Sequence, residues 1–135
     1  MKQKTIYFFL IVISVSLLSC SDDTINTITF TNLAAGDVAV SFRGTVTDVP
    51  VGATAELTNI LLGEYEYETI FALPAGTTTY DAGEELAGTF VLNAGTKILV
   101  IYTSVIEAGN YSISASVTSS DNLSDNWILP NPIGQ

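Results

Sequence analysis

The residues of this chain that could carry chemistry are two clusters of acidic side chains, and the chemistry they suit is calcium binding. Calcium takes several oxygen ligands from carboxylates, carbonyls and water. The candidate ligands are Asp81, Glu84 and Glu85 in one loop, and Asp121 and Asp125 near the C-terminus. Neither cluster has the spacing of a known calcium-binding loop. Each therefore has a second interpretation, which is a loop that keeps its carboxylates in water.

The residue types that enzymes use as nucleophiles and general bases are scarce. The chain has no histidine, which excludes Ser-His-Asp and Cys-His catalysis and histidine zinc sites. Lys97 opens an apolar run, where a lysine at a sheet edge is the simple interpretation. Paired carboxylates could serve a glycosidase, but a small β domain rarely provides the cleft that such a site needs. The sequence predicts that the protein is not an enzyme and has no cofactor, with Ca²⁺ as the one candidate.

The single tryptophan, Trp127, is a candidate for ligand stacking, because exposed tryptophans stack on sugar rings in glycan-binding modules. The alternative is a packing role. The run from Lys97 to Tyr102 is apolar on both faces of any strand, so its outer face needs a cover. We expect the segment 127–130 to provide it, with a second subunit or a partner protein as the alternatives.

Cys20 is the one cysteine of the chain and follows an apolar run, Ile6–Leu18, that comes after two lysines. This run is shorter than the roughly 20 apolar residues of a permanent transmembrane helix but suits a signal peptide. The residues Leu17-Leu18-Ser19-Cys20 resemble the lipobox of bacterial lipoproteins. The resemblance implies cleavage before Cys20 and acylation of Cys20, and two or three acyl chains anchor a protein stably. The alternatives are an ordinary secretory signal and a buried N-terminal strand.

The residues after Cys20 resemble the sorting signals of one bacterial group. Ser21-Asp22-Asp23 is similar to the acidic export tag of surface lipoproteins of the Bacteroidota. Asp23-Thr24-Ile25 resembles the O-glycosylation site of the same group, which makes Thr24 a candidate glycosylation site. Together the resemblances imply an outer-membrane protein, lipid-anchored and exposed at the cell surface. The alternative is a soluble tether that carries no signal.

The charge of the chain limits its partners. All 14 acidic residues follow Cys20, whereas only Arg43 and Lys97 remain as basic side chains after that position. A strongly acidic protein repels nucleic acid, which needs a basic patch. We expect a membrane, reached through the lipid anchor, and a protein or glycan as partners, and no nucleic acid.

Polar and apolar residues alternate with a period of two along most of the chain, as expected for half-buried β-strands. In the clearest run, 64–71, the tyrosines point to one face and Glu64, Glu66 and Glu68 to the other. The other runs that read as strands are 27–31, 38–42, 53–57, 86–92 and 111–117, together with the apolar run 97–102, and glycine-rich turns separate them. The one place for a helical turn is 83–87. The sequence therefore predicts an all-β domain of about seven to eight antiparallel strands.

A repeated pattern, Ile-x-x-Gly-x-Tyr-x-apolar, occurs at Ile60–Tyr67 and at Ile106–Ile113. Each tyrosine should begin a strand, bury its ring and bond its hydroxyl to nearby backbone. The pattern resembles the tyrosine corner of immunoglobulin-like sandwiches, which implies a single immunoglobulin-like β-sandwich. An internal duplication is the alternative to similar turn chemistry at two places.

The predicted organisation has four parts. Residues 1–19 form a lipoprotein signal peptide, 20–26 a lipid-anchored tether, 27–118 the β-sandwich, and 119–135 a C-terminal tail that packs on the sandwich. The predicted function is that of a non-catalytic binding or structural accessory module of the outer membrane. One alternative is a glycan-binding lipoprotein beside an outer-membrane transporter. The other is a subunit of an adhesive or envelope assembly.

Overall fold

A computed structural model describes residues 25–123 as nine strands and one short helix. The elements are β1 (Asn26–Asn32), β2 (Val38–Phe42), β3 (Thr45–Val49), β4 (Thr54–Ile60), β5 (Gly63–Phe71), β6 (Thr79–Ala82), β7 (Ala87–Leu92), β8 (Lys97–Glu107), β9 (Asn110–Ser119) and α1 (Ser120–Leu123). The seven predicted runs lie in strands, except for Ala53 and Leu86, which directly precede β4 and β7, so the prediction of an all-β fold is confirmed.

The strands form two sheets, as in a β-sandwich. One sheet has five strands in the order β4-β1-β8-β9-β6, and the other has four in the order β3-β2-β5-β7. The prediction that all strands are antiparallel is wrong for two pairs, because β1 pairs in parallel with β8 and β6 pairs in parallel with β9. These pairings join segments far apart in the chain, and alternation within one strand carries no information about them.

The count of seven to eight strands is also low, because β3 and β6 were not predicted. Strand β3 lies at one edge of the four-stranded sheet, and only its last residue, Val49, is buried. All four residues of β6 are exposed. Neither strand packs one whole face on the core, so nothing requires polar and apolar residues to alternate along it. Residues 83–87, the one segment in which the sequence allowed a helical turn, form a turn and the start of β7, and the short helix α1 follows β9 instead.

The core lies between the sheets and is filled by inward side chains of both. Phe30 of β1 and Phe42 of β2 contact Phe90 of β7, with ring centroids 6.3 and 6.1 Å apart. Tyr67 stacks on Phe90 with centroids 4.0 Å apart and planes 2° apart. Tyr102 of β8 and Thr69 of β5 form a buried hydrogen bond of 3.0 Å between the two sheets. The Phe30–Phe90 contact and the Tyr102–Thr69 bond join the two sheets, and the contacts of Phe90 with Phe42 and Tyr67 lie within the four-stranded sheet.

The register places the start of β1 and the last strand residue of β9 at the same end of the sandwich. Asn26 pairs with Ile60, the last residue of β4, and Thr27 pairs with Lys97, the first residue of β8. Ser119 at the end of β9 pairs with Ile98. We call this the Asn26 end. The opposite end, where β1 stops and the β8–β9 hairpin turns, is the far end.

Candidate functional site

Strand β5 presents a row of three carboxylates on the outer face of the four-stranded sheet. Glu64, Glu66 and Glu68 are exposed, while Tyr65 and Tyr67 between them turn toward the core. The predicted separation of glutamates and tyrosines is therefore confirmed. Alternate residues of a strand lie roughly 6.5–7 Å apart, which is too far for one ion to bind all three side chains.

An open groove of about 790 Å³ runs along this face. Its outward side chains come from β2, β5 and β7 and from the turn after β2: Ser41, Arg43, Glu64, Glu66, Glu68, Ala87 and Thr89. The guanidinium of Arg43 lies over the Tyr65 ring, 5.3 Å from its centroid, in a cation–π contact that orients it. The groove is thus lined by three carboxylates and two hydroxyls, together with Arg43. This set suits a polar partner with hydroxyl or amino groups.

The acidic loop predicted as a calcium site uses two of its carboxylates to hold the loop to β9. Asp81 Oδ2 accepts a hydrogen bond from Asn110 Nδ2 at 2.7 Å, and Glu85 Oε2 accepts one from the Val117 amide at 2.9 Å. The backbone carbonyl of Glu84 accepts a bond from the Ala115 amide. Within residues 25–123, no three acidic side chains come together where they could hold a metal ion. Calcium binding, which the sequence left as a possibility beside a solvated loop, stays an untested possibility.

Asp121, the other described candidate ligand, joins α1 to the turn before β8. Its Oδ2 accepts hydrogen bonds from Asn93 Nδ2 at 2.8 Å and Thr96 Oγ1 at 2.9 Å. These bonds favour the ionised carboxylate and lower the pKa of Asp121. The amide of Thr96 in turn donates to Asn26 Oδ1 at 2.8 Å, and both Thr96 and Asn26 are buried. A polar network therefore closes the Asn26 end.

No motif in the sequence identifies Asn26 and Thr96 as members of this network. They lie 70 residues apart, and neither neighbourhood carries a motif that pairs them. Asn32 was missed in the same way. Its side chain donates to the carbonyls of Gly36 and Val49 and accepts from the Ala34 amide, which ties the loop after β1 to the end of β3. The one sign of this role in the sequence is the position of Asn32 at the end of a run in which polar and apolar residues alternate.

The two Gly-x-Tyr turns differ in structure. Tyr65 donates its hydroxyl proton to the carbonyl of Leu61 at 2.8 Å, as predicted for a tyrosine corner. Tyr111 is completely buried, but its hydroxyl has no hydrogen-bond partner in the described part of the chain, so the prediction is wrong for this residue. The register explains the difference: Gly63 opens β5, whereas Gly109 turns the tight β8–β9 hairpin.

The apolar run at the start of β8 lies in the middle of the five-stranded sheet, as its composition predicts. Ile98, Val100 and Tyr102 face the core, and Leu99 remains exposed on the outer face. Beside Leu99, an apolar groove of about 650 Å³ is lined by β1, β8 and β9, together with Glu56 and Ser120. The segment 127–130, which we expect to cover this face, lies outside the described residues.

Several other predicted residues also lie outside residues 25–123. They are Cys20, Ser21, Asp22, Asp23, Thr24, Asp125 and Trp127. Among the described tyrosines, Tyr80 is the one with a largely exposed ring, at 57 %. It makes an edge contact with Phe71, with centroids 5.5 Å apart. The described sheets thus carry one exposed tyrosine at the β6 edge rather than an aligned aromatic row of the kind that stacks on glycans.

Comparisons of the chain with protein-family models, with curated proteins and with solved structures found no match. In the part of the chain that the structure describes, no helix is long and apolar enough to cross a bilayer.

Proposed function

We propose that the chain is a non-catalytic lipoprotein of the bacterial outer membrane that displays a binding or structural accessory domain at the cell surface. Cys20, acylated after removal of residues 1–19, holds the protein to the membrane. The domain is an immunoglobulin-like sandwich, and the Tyr65 corner supports that assignment. The organism is of the Bacteroidota type, as the acidic residues after Cys20 suggest.

The observation that carries this proposal is the position of the first strand relative to Cys20. Strand β1 begins at Asn26, six residues after Cys20, and its first side chain is buried in the polar network of one end of the sandwich. A lipid on Cys20 therefore holds that end near the bilayer. The far end and the outer faces of both sheets then point away from the membrane or along it, where partners can reach them.

Two measurements on intact cells test this proposal. The first is incorporation of an alkyne-bearing fatty acid into the protein, with Cys20→Ala as the variant that should lose the label. The second is digestion by an added protease that does not cross the outer membrane. We expect labelling that depends on Cys20 and digestion without cell lysis. Labelling that persists in the Cys20→Ala chain, or protection from protease, would overturn the location.

One observation favours assembly with another protein as the more specific role. Strand β7 is an edge of the four-stranded sheet with the sequence Ala-Gly-Thr-Phe-Val-Leu, and Val91 on its outer face is 51 % exposed. An edge strand of this kind offers unpaired backbone groups to a strand of a partner.

A lysine at an edge opposes such pairing, so Val91→Lys should abolish co-purification of a partner from cells, and Val91→Thr should preserve it. Equal recovery of the partner with both variants would argue against pairing at this edge.

A further inference from the structure

We propose that the β4–β5 turn, Leu61-Leu62, is a membrane-contacting loop that docks the Asn26 end onto the lipid bilayer. This inference rests on the proposed acylation of Cys20. Leu61 and Leu62 are the most exposed large apolar side chains among the described residues, at 73 % and 69 %. Burial of leucine side chains in the interfacial region of a bilayer is favourable.

The covalent structure keeps this loop close to the membrane. The six residues from Cys20 to Asn26 span at most about 20 Å when fully extended. Asn26 pairs with Ile60, the residue directly before the loop, and paired strands lie about 5 Å apart. A lipid on Cys20 therefore brings the loop within reach of the bilayer, whereas the far end lies at the other end of the strands.

The charges of the described residues favour the same orientation. Both basic residues, Arg43 and Lys97, lie toward the Asn26 end, because Arg43 follows the last residue of β2 and Lys97 is the first residue of β8. The carboxylates of Glu64 and Asp121 also lie at this end. By the same register, Glu66 and Glu85 also lie toward the Asn26 end, while Asp37, Asp48, Asp81 and Glu107 lie toward the far end, which has no described basic residue to offset them. An anionic membrane surface repels the far end more strongly than the Asn26 end.

Arg43 is connected to the loop through Tyr65. Its guanidinium is 5.3 Å from the centre of the Tyr65 ring, and the Tyr65 hydroxyl donates to the carbonyl of Leu61 at 2.8 Å. Tyr65 therefore connects the cation to the apolar turn. Two leucines that enter the interface, flanked by an arginine at the level of the phosphates, form an arrangement that suits a lipid surface.

The test uses the fact that Cys20 is the one cysteine and is blocked when acylated. The full chain with Leu62→Cys then has one free thiol, which takes an environment-sensitive fluorophore. The matched control is Leu33→Cys, because Leu33 has a similar exposure of 63 % but follows β1 at the far end. The acylated proteins are reconstituted in vesicles of phosphatidylethanolamine and phosphatidylglycerol that contain nitroxide-labelled lipid. Intact mass first establishes the acyl chains, and thermal melting establishes the fold.

We expect several-fold stronger quenching by the lipid nitroxide at position 62 than at position 33. Introducing Arg43→Glu into the Leu62→Cys chain should reduce the quenching at position 62. Equal quenching at both positions in the acylated protein would overturn the docking loop and leave the proposed function intact. A label at position 62 that is shielded from iodide in water but not quenched by lipid would show a second copy or a protein partner at this surface, and would overturn the proposal. Absence of acyl chains would overturn the proposed function and the docking together.

Discussion

At the scale of single residues, the two tyrosines of the Gly-x-Tyr turns show how one sequence pattern leads to two different environments. Tyr65 has a backbone partner for its hydroxyl, and the buried hydroxyl of Tyr111 has none among the described residues. A buried polar group without a partner keeps the full cost of its desolvation. The difference was not visible in the sequence, because the partner of each hydroxyl depends on the turn that precedes the strand.

This pair of residues gives a direct prediction. Tyr65→Phe should lower the free energy of unfolding by about 1 kcal/mol, because it removes a hydrogen bond to the backbone. Tyr111→Phe should leave the free energy of unfolding unchanged or raise it, because it removes an unpartnered hydroxyl. Urea denaturation of both variants measures the two values. A loss of stability in Tyr111→Phe equal to that in Tyr65→Phe would contradict the assignment.

Tyr102 predicts how stability depends on alkaline pH. Burial raises the pKa of Tyr102 to about 12. The hydrogen bond to Thr69 opposes this shift, and the charge of nearby Tyr67 adds to it. The pKa in the unfolded chain is about 10. The folded state therefore binds this proton more tightly, and the resulting stabilisation is complete below pH of about 10 and disappears as the pH rises toward 12.

Tyr102→Phe removes this dependence together with the hydrogen bond between the sheets. We expect the variant to be less stable than the original protein by about 1 kcal/mol at pH 7. The difference should shrink between pH 10 and pH 12, where the original protein loses the contribution of Tyr102. Urea denaturation at several pH values gives this difference. If the difference in the free energy of unfolding between the two proteins stayed constant up to pH 12, this would contradict the raised pKa.

At the scale of the elements, alternation revealed the strands that bury one face and failed for the others. Strands β1, β2 and β5 alternate because one side of each packs on the core. Strand β6 buries neither face, so nothing in its sequence requires alternation. The acidic segment from Asp81 to Glu85 was recognised as chemically distinct, but Asp81 lies in β6 and its role depends on Asn110, which the fold supplies from β9.

The loop between β1 and β2 gives a prediction at this scale. A Cβ atom at Gly36 would collide with the carbonyl oxygen of Ala72 and approach the Tyr111 hydroxyl. Gly36→Ala should therefore reduce the free energy of unfolding by about 1–3 kcal/mol, the usual cost of overpacking. Gly44→Asn is the control, because Gly44 has a φ of +75° and open space around it, and asparagine tolerates this conformation. Similar losses in both variants, measured by thermal unfolding, would show that Gly36 is not tightly packed.

At the scale of the whole molecule, the two described ends of the fold differ in chemistry, and the predicted lipid anchor precedes the strand that begins at one of them. The Asn26 end combines a closed polar network, an exposed pair of leucines and both described basic residues. The outer face of the four-stranded sheet carries the three glutamates of β5 beside the β7 edge. Composition was sufficient to predict acidity, and the alternation of polar and apolar residues was sufficient to predict the β class. The distribution of the charges over the two ends depends on strand register, which single runs do not reveal.

The most direct test of the central claim is the intact mass of the mature protein extracted from the membranes of the organism that makes it. We predict a chain that begins at Cys20 and carries the added mass of a diacylglyceryl group, with a further acyl group on the new amino terminus. A mature protein that begins at another residue, or that begins at Cys20 without lipid and is released into the medium, would contradict the account.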